Sequence, residues 1–259
     1  MGRIETAFSE LKRQGKKGFI PFITAGDPDL QTSAELLLEL SDSTVIELGV
    51  PFSDPMADGP VIQRASERAL KHGFGIGDVL GMVASVRRKI ETPIILFSYF
   101  NPLLQFGLKR LAAEAKTAGI DGVLVTDLSP EEAGEFESEL RANDLDMIFL
   151  IAPTSTDERL KLVAQHARGF IYAVSRAGVT GVRASVSAEA EKLVNRMRQF
   201  SSLPIAVGFG ISNRDQVKDV QRYADAVVIG SAIVSEIERL QGAPTDLAKR
   251  IGEFVKEFK

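Results

Sequence analysis

The chain has 259 residues, of which 44% are hydrophobic and 25% are charged, a composition typical of globular proteins. Its 31 basic and 35 acidic residues give a formal charge of -4, and no Lys/Arg stripe alternates with aromatic residues, so we expect no nucleic-acid partner. The absence of cysteine excludes disulfides, thiolate metal sites and a cysteine nucleophile. The two histidines stand far apart in the sequence, so we also expect no metal site.

The first 14 residues are predicted to form a short amphipathic helix. Ile4, Phe8 and Leu11 recur at helical spacing among charged residues, whereas a signal peptide has a continuous apolar core. No segment approaches the roughly 18 apolar residues that a membrane span requires. We therefore expect a cytoplasmic protein with no membrane partner.

After this helix one pattern repeats eight times: a short apolar run rich in β-branched residues, a loop rich in Gly, Pro or Asp, and an amphipathic stretch. The predicted strands are FIPFITAG (19–26), TVIELGV (44–50), PIILFSY (93–99), GVLVTDL (122–128), DMIFLIA (146–152), GFIYAVS (169–175), PIAVGFG (204–210) and AVVIGSA (226–232). Helices are predicted at 30–40, 61–71, 108–118, 130–142, 157–166, 188–197 and 214–223, with added helices at 1–14 and near 243–259.

Apolar strands without clean alternation, each followed by a helix, indicate parallel strands covered by helices. Eight such units predict an α/β fold, namely a (β/α)8 TIM barrel with an extra N-terminal helix. A doubly wound open sheet is the alternative. No stretch resembles a linker, so residues 1–259 are predicted to form a single catalytic barrel domain.

The loop after the second strand, ELGVPFSDPMADGP (47–60), holds three carboxylates and three prolines. Side chains alternate along a strand, so Val45 and Glu47 face the barrel interior if Ile46 and Leu48 face the helices. Burial favours the neutral carboxyl and raises its pKa, which suits Glu47 to both giving and taking a proton. The alternative is that Glu47 pairs with a structural Arg or Lys.

Asp58 precedes a predicted helix, whose N-terminal N–H groups are expected to keep this carboxyl ionised. Two carboxyls with different pKa values can divide the work of an acid and a base. A helix cap is the alternative role for Asp58. Asp54 is predicted to be a solvent-facing turn residue.

Glycines mark the ends of the last strands: Gly208 and Gly210 after the seventh, and Gly230 with Ser231 after the eighth. In barrels these two loops commonly bind phosphate through backbone N–H groups. SRAGVTGV (175–182) has the composition of a loop that closes over a ligand. Each glycine pair also fits an ordinary tight turn or bulge.

Several segments, in order over nearly the whole chain, resemble the family of tryptophan synthase α subunits. They are FIPFITAGDP (19–28), ELGVPFSDPMADGPVIQ (47–63), GVLVTDL (122–128), SRAGVTG (175–181), VGFGIS (207–212) and IGSAIV (229–234). The resemblance implies a barrel lyase of tryptophan biosynthesis that cleaves indole-3-glycerol phosphate by a retro-aldol reaction to indole and glyceraldehyde 3-phosphate. It also implies an α2β2 heterotetramer in which indole passes to a β subunit. Pyridoxal phosphate is expected only in that β subunit, and no cofactor in this chain.

The resemblance also assigns roles to individual residues. It implies that Glu47 is the general acid/base and Asp58 the second catalytic acid, that Tyr172 lies near Glu47, and that Thr180 is the threonine of the closing loop. The implied phosphate seat comprises Gly181, Gly210, Gly230 and Ser231. The implied indole pocket comprises Phe22, Phe97, Leu124, Leu150 and Phe209, for which ordinary core packing is the alternative. The proline-rich loop and the loop NPLLQFG (101–107) are expected to contact the β subunit.

The sequence departs from the family pattern in the short connector LSDSTVIELG (40–49), at Thr126, and in IAPTS (151–155). Two other functions stay open at this point. The chain could be another barrel enzyme acting on a sugar phosphate, such as an isomerase of histidine or tryptophan synthesis. Alternatively, it could be a binding subunit that activates its partner without activity of its own.

Overall fold

The computed structural model describes residues 2–174, 186–208, 210–242 and 246–259. Eight parallel strands form a closed barrel in chain order, and the last strand pairs with the first. The barrel prediction is confirmed, and an open doubly wound sheet is excluded. The strands are β1 (Gly18–Thr24), β2 (Ile46–Gly49), β3 (Ile94–Ser98), β4 (Gly122–Val125), β5 (Asp146–Ile151), β6 (Ile171–Val174), β7 (Ile205–Gly208) and β8 (Ala226–Ile229).

Helices surround the barrel. They are α1 (Arg3–Gln14), α2 (Leu30–Glu39), α3 (Pro60–Leu70), α4 (Ile76–Arg87), α5 (Phe100–Phe106), α6 (Leu108–Ala118), α7 (Gly134–Ala142), α8 (Asp157–His166), α9 (Val186–Met197), α10 (Arg214–Gln221), α11 (Ser231–Leu240) and α12 (Leu247–Lys256). Within the described ranges, no helix is both long and apolar enough to cross a membrane.

Three helices, α4, α5 and α11, add to those named from the sequence. The prediction of a loop at 101–107 is wrong, because α5 covers all but the last of these residues. Pro102 lies in the first turn of α5, where a missing N–H costs no helical hydrogen bond, and the backbone N–H of Phe100 donates to Asp127 at 2.7 Å. The predicted helix at 130–142 begins only at Gly134, because a turn in which Glu132 N–H bonds the Ser129 carbonyl comes first.

Side chains of the strands alternate between two apolar layers. Ile46 and Leu48 belong to the layer between strands and helices, whereas Val45 and Ile95 lie inside the barrel. The bottom of the barrel is closed by α1, whose Phe8 packs on Phe170 with ring centroids 5.7 Å apart. The opposite end, where the strands finish, is therefore the end at which the loops are free to form a site.

Packing at this end leaves no room for a side chain at position 49. A Cβ added to Gly49 would lie 2.5 Å from the Phe22 ring, which itself packs edge-on against Phe97. We expect Gly49→Ala to lower the free energy of unfolding by about 1–3 kcal/mol, as overpacking does, measured by urea denaturation.

Gly81→Ala provides the matched control for this substitution. Gly81 lies exposed within α4, and nothing lies within 4 Å of an added Cβ. This variant should be up to about 1 kcal/mol more stable than the unaltered chain, because alanine favours the helix. Equal effects of the two substitutions would contradict the packing explanation.

Candidate active site

Glu47 lies inside the barrel on β2, between Phe22 of β1 and Ile95 of β3. It is only 1% exposed, and its Oε1 has no hydrogen-bond partner among the described residues. No ion pair to Glu47 occurs in that part of the chain, so the alternative of a structural Arg or Lys partner finds no support there. Burial raises the pKa of the Glu47 carboxyl well above its ordinary value of 4.5. The site therefore holds a carboxyl that favours its protonated form.

Tyr172 of β6 also points into the barrel and is buried. A Cβ at Gly208 of β7 would lie 2.0 Å from the Tyr172 hydroxyl, so the neighbouring strand must carry glycine there. The pKa of Tyr172 is raised well above 10, first by burial and then by the charge of Glu47. Tyr172 thus lies close enough to Glu47 for the two groups to interact.

The raised pKa of Glu47 makes stability depend on pH. Between about pH 4.5, where the unfolded chain loses this proton, and the higher pKa of the folded state, the folded chain binds more protons. Its free energy of unfolding therefore falls as pH rises, by at most about 1.4 kcal/mol per pH unit for this group. Glu47→Gln cannot titrate, so we expect the variant to gain stability relative to the unaltered chain from pH 5 to pH 8. Urea denaturation across this range measures the difference, and parallel curves would contradict it.

Asp58 lies half-buried in the loop between β2 and α3. The helix cap is Gly59, and no side-chain cap bond is made, so the alternative that Asp58 caps the helix is wrong. Burial raises the pKa of Asp58 to about 6, and a hydrogen bond from Tyr99 offsets part of this shift. The expected effect of the helix N-terminus is thus outweighed by desolvation. Asp58 is still mainly ionised at pH 7, but its pKa lies much closer to 7 than the sequence predicts.

Two polar groups at the ends of the strands next to β2, Tyr99 and Thr24, are not among the residues predicted from the sequence. Tyr99 directly follows β3, and its hydroxyl accepts a hydrogen bond of 2.9 Å from the backbone N–H of Ala57, next to Asp58. Thr24 ends β1, and its buried hydroxyl has no partner in the part of the chain that the structure describes. Both share the strand parity of inward residues, Phe97 and Phe22 respectively. This parity was the signal that could have identified them.

The apolar residues assigned to an indole pocket converge inside the barrel. Phe22 and Phe97 meet edge to face, with ring centroids 5.3 Å apart. Leu124 and Tyr172 belong to the same interior cluster, and Leu150 packs against it half-buried. Glu47 therefore lies among apolar side chains of the barrel interior.

The loops after β7 and β8 place backbone groups at the mouth of the barrel. Gly210 has a φ of +79°, a conformation that favours glycine. Gly230 is the N-cap of α11, and Ser231 is its first residue. The free N–H groups of this helix N-terminus form a seat suited to an anion. Gly181, Thr180 and Phe209, together with the 175–182 loop, lie outside the described residues.

One departure from the family pattern is accommodated locally. Thr126, just after β4, donates its hydroxyl to the carbonyl of Ser98 at 3.3 Å, and its N–H bonds the same carbonyl at 2.9 Å. The polar side chain is therefore satisfied at the end of β3. In the described ranges, no group of three or more His, Cys, Asp or Glu side chains is arranged to hold a metal ion.

The chain is similar to known proteins over its full length. Residues 8–259 match the family model described as tryptophan synthase alpha chain. The tryptophan synthase alpha chain of Geobacter sulfurreducens is 49% identical, covering 100% of this chain and 98% of the relative. The crystal structure of tryptophan synthase subunit alpha from Legionella pneumophila is 38% identical, with a TM-score of 0.91 over 100% of this chain and 97% of that one.

A chain from a structural study of the tryptophan synthase α2β2 complex of Pyrococcus furiosus is also similar. It is 40% identical, with a TM-score of 0.86 over 93% of this chain and 97% of that one. Similarity in sequence and in fold thus extends over nearly the whole chain. The chain belongs to the tryptophan synthase alpha chain family.

Proposed function

We infer that this chain catalyses the α reaction of tryptophan biosynthesis, the retro-aldol cleavage of indole-3-glycerol phosphate to indole and glyceraldehyde 3-phosphate. One observation carries the inference. The buried carboxyl of Glu47, whose Oε1 has no hydrogen-bond partner among the described residues, lies among apolar side chains at the end of the barrel where Asp58 is half-buried. Membership of the family supports the same reaction.

Glu47 performs both proton transfers in this proposal. Its protonated carboxyl gives a proton to C3 of the indole, which turns the ring into an electron sink. The resulting carboxylate takes the proton of the hydroxyl on the adjoining side-chain carbon. The carbon–carbon bond then breaks, its electrons return to the indole ring, and the former hydroxyl carbon becomes the aldehyde. A raised pKa suits a group that must begin the reaction protonated.

Asp58 stabilises the charge that develops on the ring. In its ionised form it accepts a hydrogen bond from the indole N–H while the ring is positively charged after protonation of C3. The substrate phosphate lies against the N–H groups at Gly230 and Ser231, with Gly210 alongside. We propose that Phe22, Phe97, Leu124 and Leu150 contact the ring, and that Thr180, Gly181 and Phe209 complete the site.

We propose that the β subunit binds at the mouth of the barrel. The strongly exposed large hydrophobic side chains of the described residues are Met56, 80% exposed, and Leu104, 49% exposed. They lie on the proline-rich loop and on α5, which follow adjacent strands, and the rings of Phe52 and Tyr99 join these segments at 5.3 Å. Exposed apolar groups gathered on one face are typical of a protein interface.

Both proton transfers have a carboxyl in place, so we propose that this chain works without a cofactor of its own. Residues 1–259 act as one catalytic barrel domain in the cytoplasm, within an α2β2 heterotetramer.

An indole-release assay tests the function. Indole-3-glycerol phosphate is supplied to the chain alone and with the β subunit of the same organism, and free indole is measured. We expect release by the chain alone and faster release with the partner. No indole under either condition would overturn the lyase assignment and leave only the role of a partner-binding subunit. A sugar-phosphate isomerase assay on the same sample should show no turnover.

A further inference from the structure

A cluster of ion pairs joins three segments near the mouth of the barrel. Arg68 of α3 donates to both carboxylate oxygens of Asp27, in the loop after β1, at 2.8 Å each. It also donates to Glu238 of α11 at 2.8 Å. The Gln241 amide, at the end of α11, adds a bond of 3.1 Å to Asp27. One guanidinium therefore links the loop after β1 to the helices that follow β2 and β8.

The two linked helices begin at the two ends of the proposed substrate site. The Asp58 carbonyl accepts a bond of 2.9 Å from the side chain of Gln63, which ties Asp58 to the first turn of α3. At 1.5 Å per residue, Arg68 lies about 12 Å along α3 from Pro60, and Glu238 about 10 Å along α11 from Ser231. Arg68 and Glu238 thus lie at similar distances from the first residues of their helices. Their ion pair therefore fixes the distance between the N-termini of α3 and α11.

The burial of Asp27 and the planar shape of the Arg68 guanidinium restrain the geometry of these ion pairs. Asp27 is fully buried, and burial raises the pKa of its carboxyl although the ion pair with Arg68 opposes the shift. A planar guanidinium can serve both oxygens of Asp27 and reach Glu238 at once, which an ammonium cannot do. Arg64 also pairs with Glu238, donating two bonds of 2.7 Å from a guanidinium that is about half exposed, so it is a second link between α3 and α11. Arg68 differs in that it also binds the buried Asp27.

We propose that Arg68 is a positioning residue that sets the separation between Asp58 and the phosphate seat at Gly230 and Ser231. This inference rests on the proposed function. It predicts that disturbing Arg68 weakens ligands that span both ends of the site, while ligands that touch only the phosphate seat bind as before.

Arg68→Lys tests the proposal with two probes. Glycerol 3-phosphate reaches only the phosphate seat, whereas indole-3-propanol phosphate carries both ring and phosphate and cannot be cleaved. By isothermal titration we expect Arg68→Lys to weaken the spanning probe about tenfold, and to lower kcat for indole-3-glycerol phosphate by a similar factor, as a small misplacement does. Affinity for glycerol 3-phosphate should stay within about twofold, since the N-terminus of α11 is itself intact.

Arg87→Lys is the matched control. Arg87 forms a buried ion pair with Asp121 next to the start of β3, at the opposite end of the barrel. Its replacement should lower stability in urea denaturation yet change the affinities for both probes by the same small factor. If Arg68→Lys weakens both probes equally, or neither, the positioning role is wrong.

If Arg68→Lys does not fold, the double variant Asp27→Asn/Arg68→Met is tested with the same two probes. Removing both charges avoids an unpaired buried carboxylate, so stability should recover while the selective loss for the spanning probe persists. Recovery of spanning-probe affinity together with stability would overturn the inference. If the unaltered chain neither binds the spanning probe nor releases indole, the proposed function itself fails, an outcome distinct from a failure of the Arg68 assignment alone.

Discussion

Glu47→Gln is expected to reduce the turnover of indole-3-glycerol phosphate by about a thousandfold or more, in the upper part of the range for loss of a general acid/base. The amide keeps the size of the side chain but can neither give nor take a proton at the indole ring. The position is buried among apolar side chains, and Gln fills the same space as Glu. The Kd of indole-3-propanol phosphate should therefore change by less than about threefold. Steady-state indole release and isothermal titration measure the two effects.

Glu137→Gln is the control for this change. Glu137 is another buried glutamate, but it lies on the outer helix α7, where it pairs with Arg141 and His166. The same chemical change there should leave kcat within about twofold of the unaltered value, because distant sites act independently. Turnover that survives Glu47→Gln would remove Glu47 from the reaction.

Asp58→Asn is expected to lower kcat by about a hundredfold to a thousandfold, the usual effect of losing one group that stabilises developing charge. The pH profile gives a sharper signature. The pKa of Asp58 is raised to about 6, and the ionised form is the one that stabilises the charged ring. The rate of the unaltered chain should therefore show an acid limb that rises with pH through about 6. This limb should vanish in the variant, because an amide does not titrate in this range.

Asp54→Asn provides the control within the same loop. Asp54 is exposed and bonded to the neighbouring Ser53 hydroxyl. In single-turnover assays of the isolated chain, this variant should retain both its rate within about twofold and its acid limb near pH 6, since exposed substitutions act only locally. An acid limb that persists in Asp58→Asn would assign the titration to another group and contradict the proposed role.

Much of the fold could be predicted from local patterns. β-branched apolar runs that alternate with amphipathic stretches predict parallel strands and helices, and eight repeats lead to a closed barrel. The same patterns did not identify α5, and the family resemblance implies a loop at NPLLQFG (101–107). That helix depends on Asp127, more than twenty residues away, which receives the first free N–H of α5. A helix whose start depends on such a distant contact cannot be predicted from the local spacing of apolar and polar residues.

In the candidate site, too, some features could be predicted from the sequence, whereas others depend on contacts between distant residues. Strand parity places Glu47 on the same face of β2 as Val45. The structure shows that this face is the barrel interior. Arg68 binds Asp27, 41 positions away in the sequence, and Glu238, 170 positions away. No periodic pattern in the sequence predicts these ion pairs. Tyr99 had the right parity, but its contact with the loop at Ala57 depends on how that loop folds back.

The sequence by itself determined the eight strand–helix units, the shared strand face of Val45 and Glu47, and the glycines at the strand ends, because periodicity and chirality act between near neighbours in the chain. Only the tertiary structure decided the protonation behaviour of Asp58 and the spacing between the two ends of the site. Both depend on desolvation and on ion pairs, which arise when distant segments come together. The helix start after Asp58 favours its ionised form, yet burial in the folded loop moves its pKa in the opposite direction.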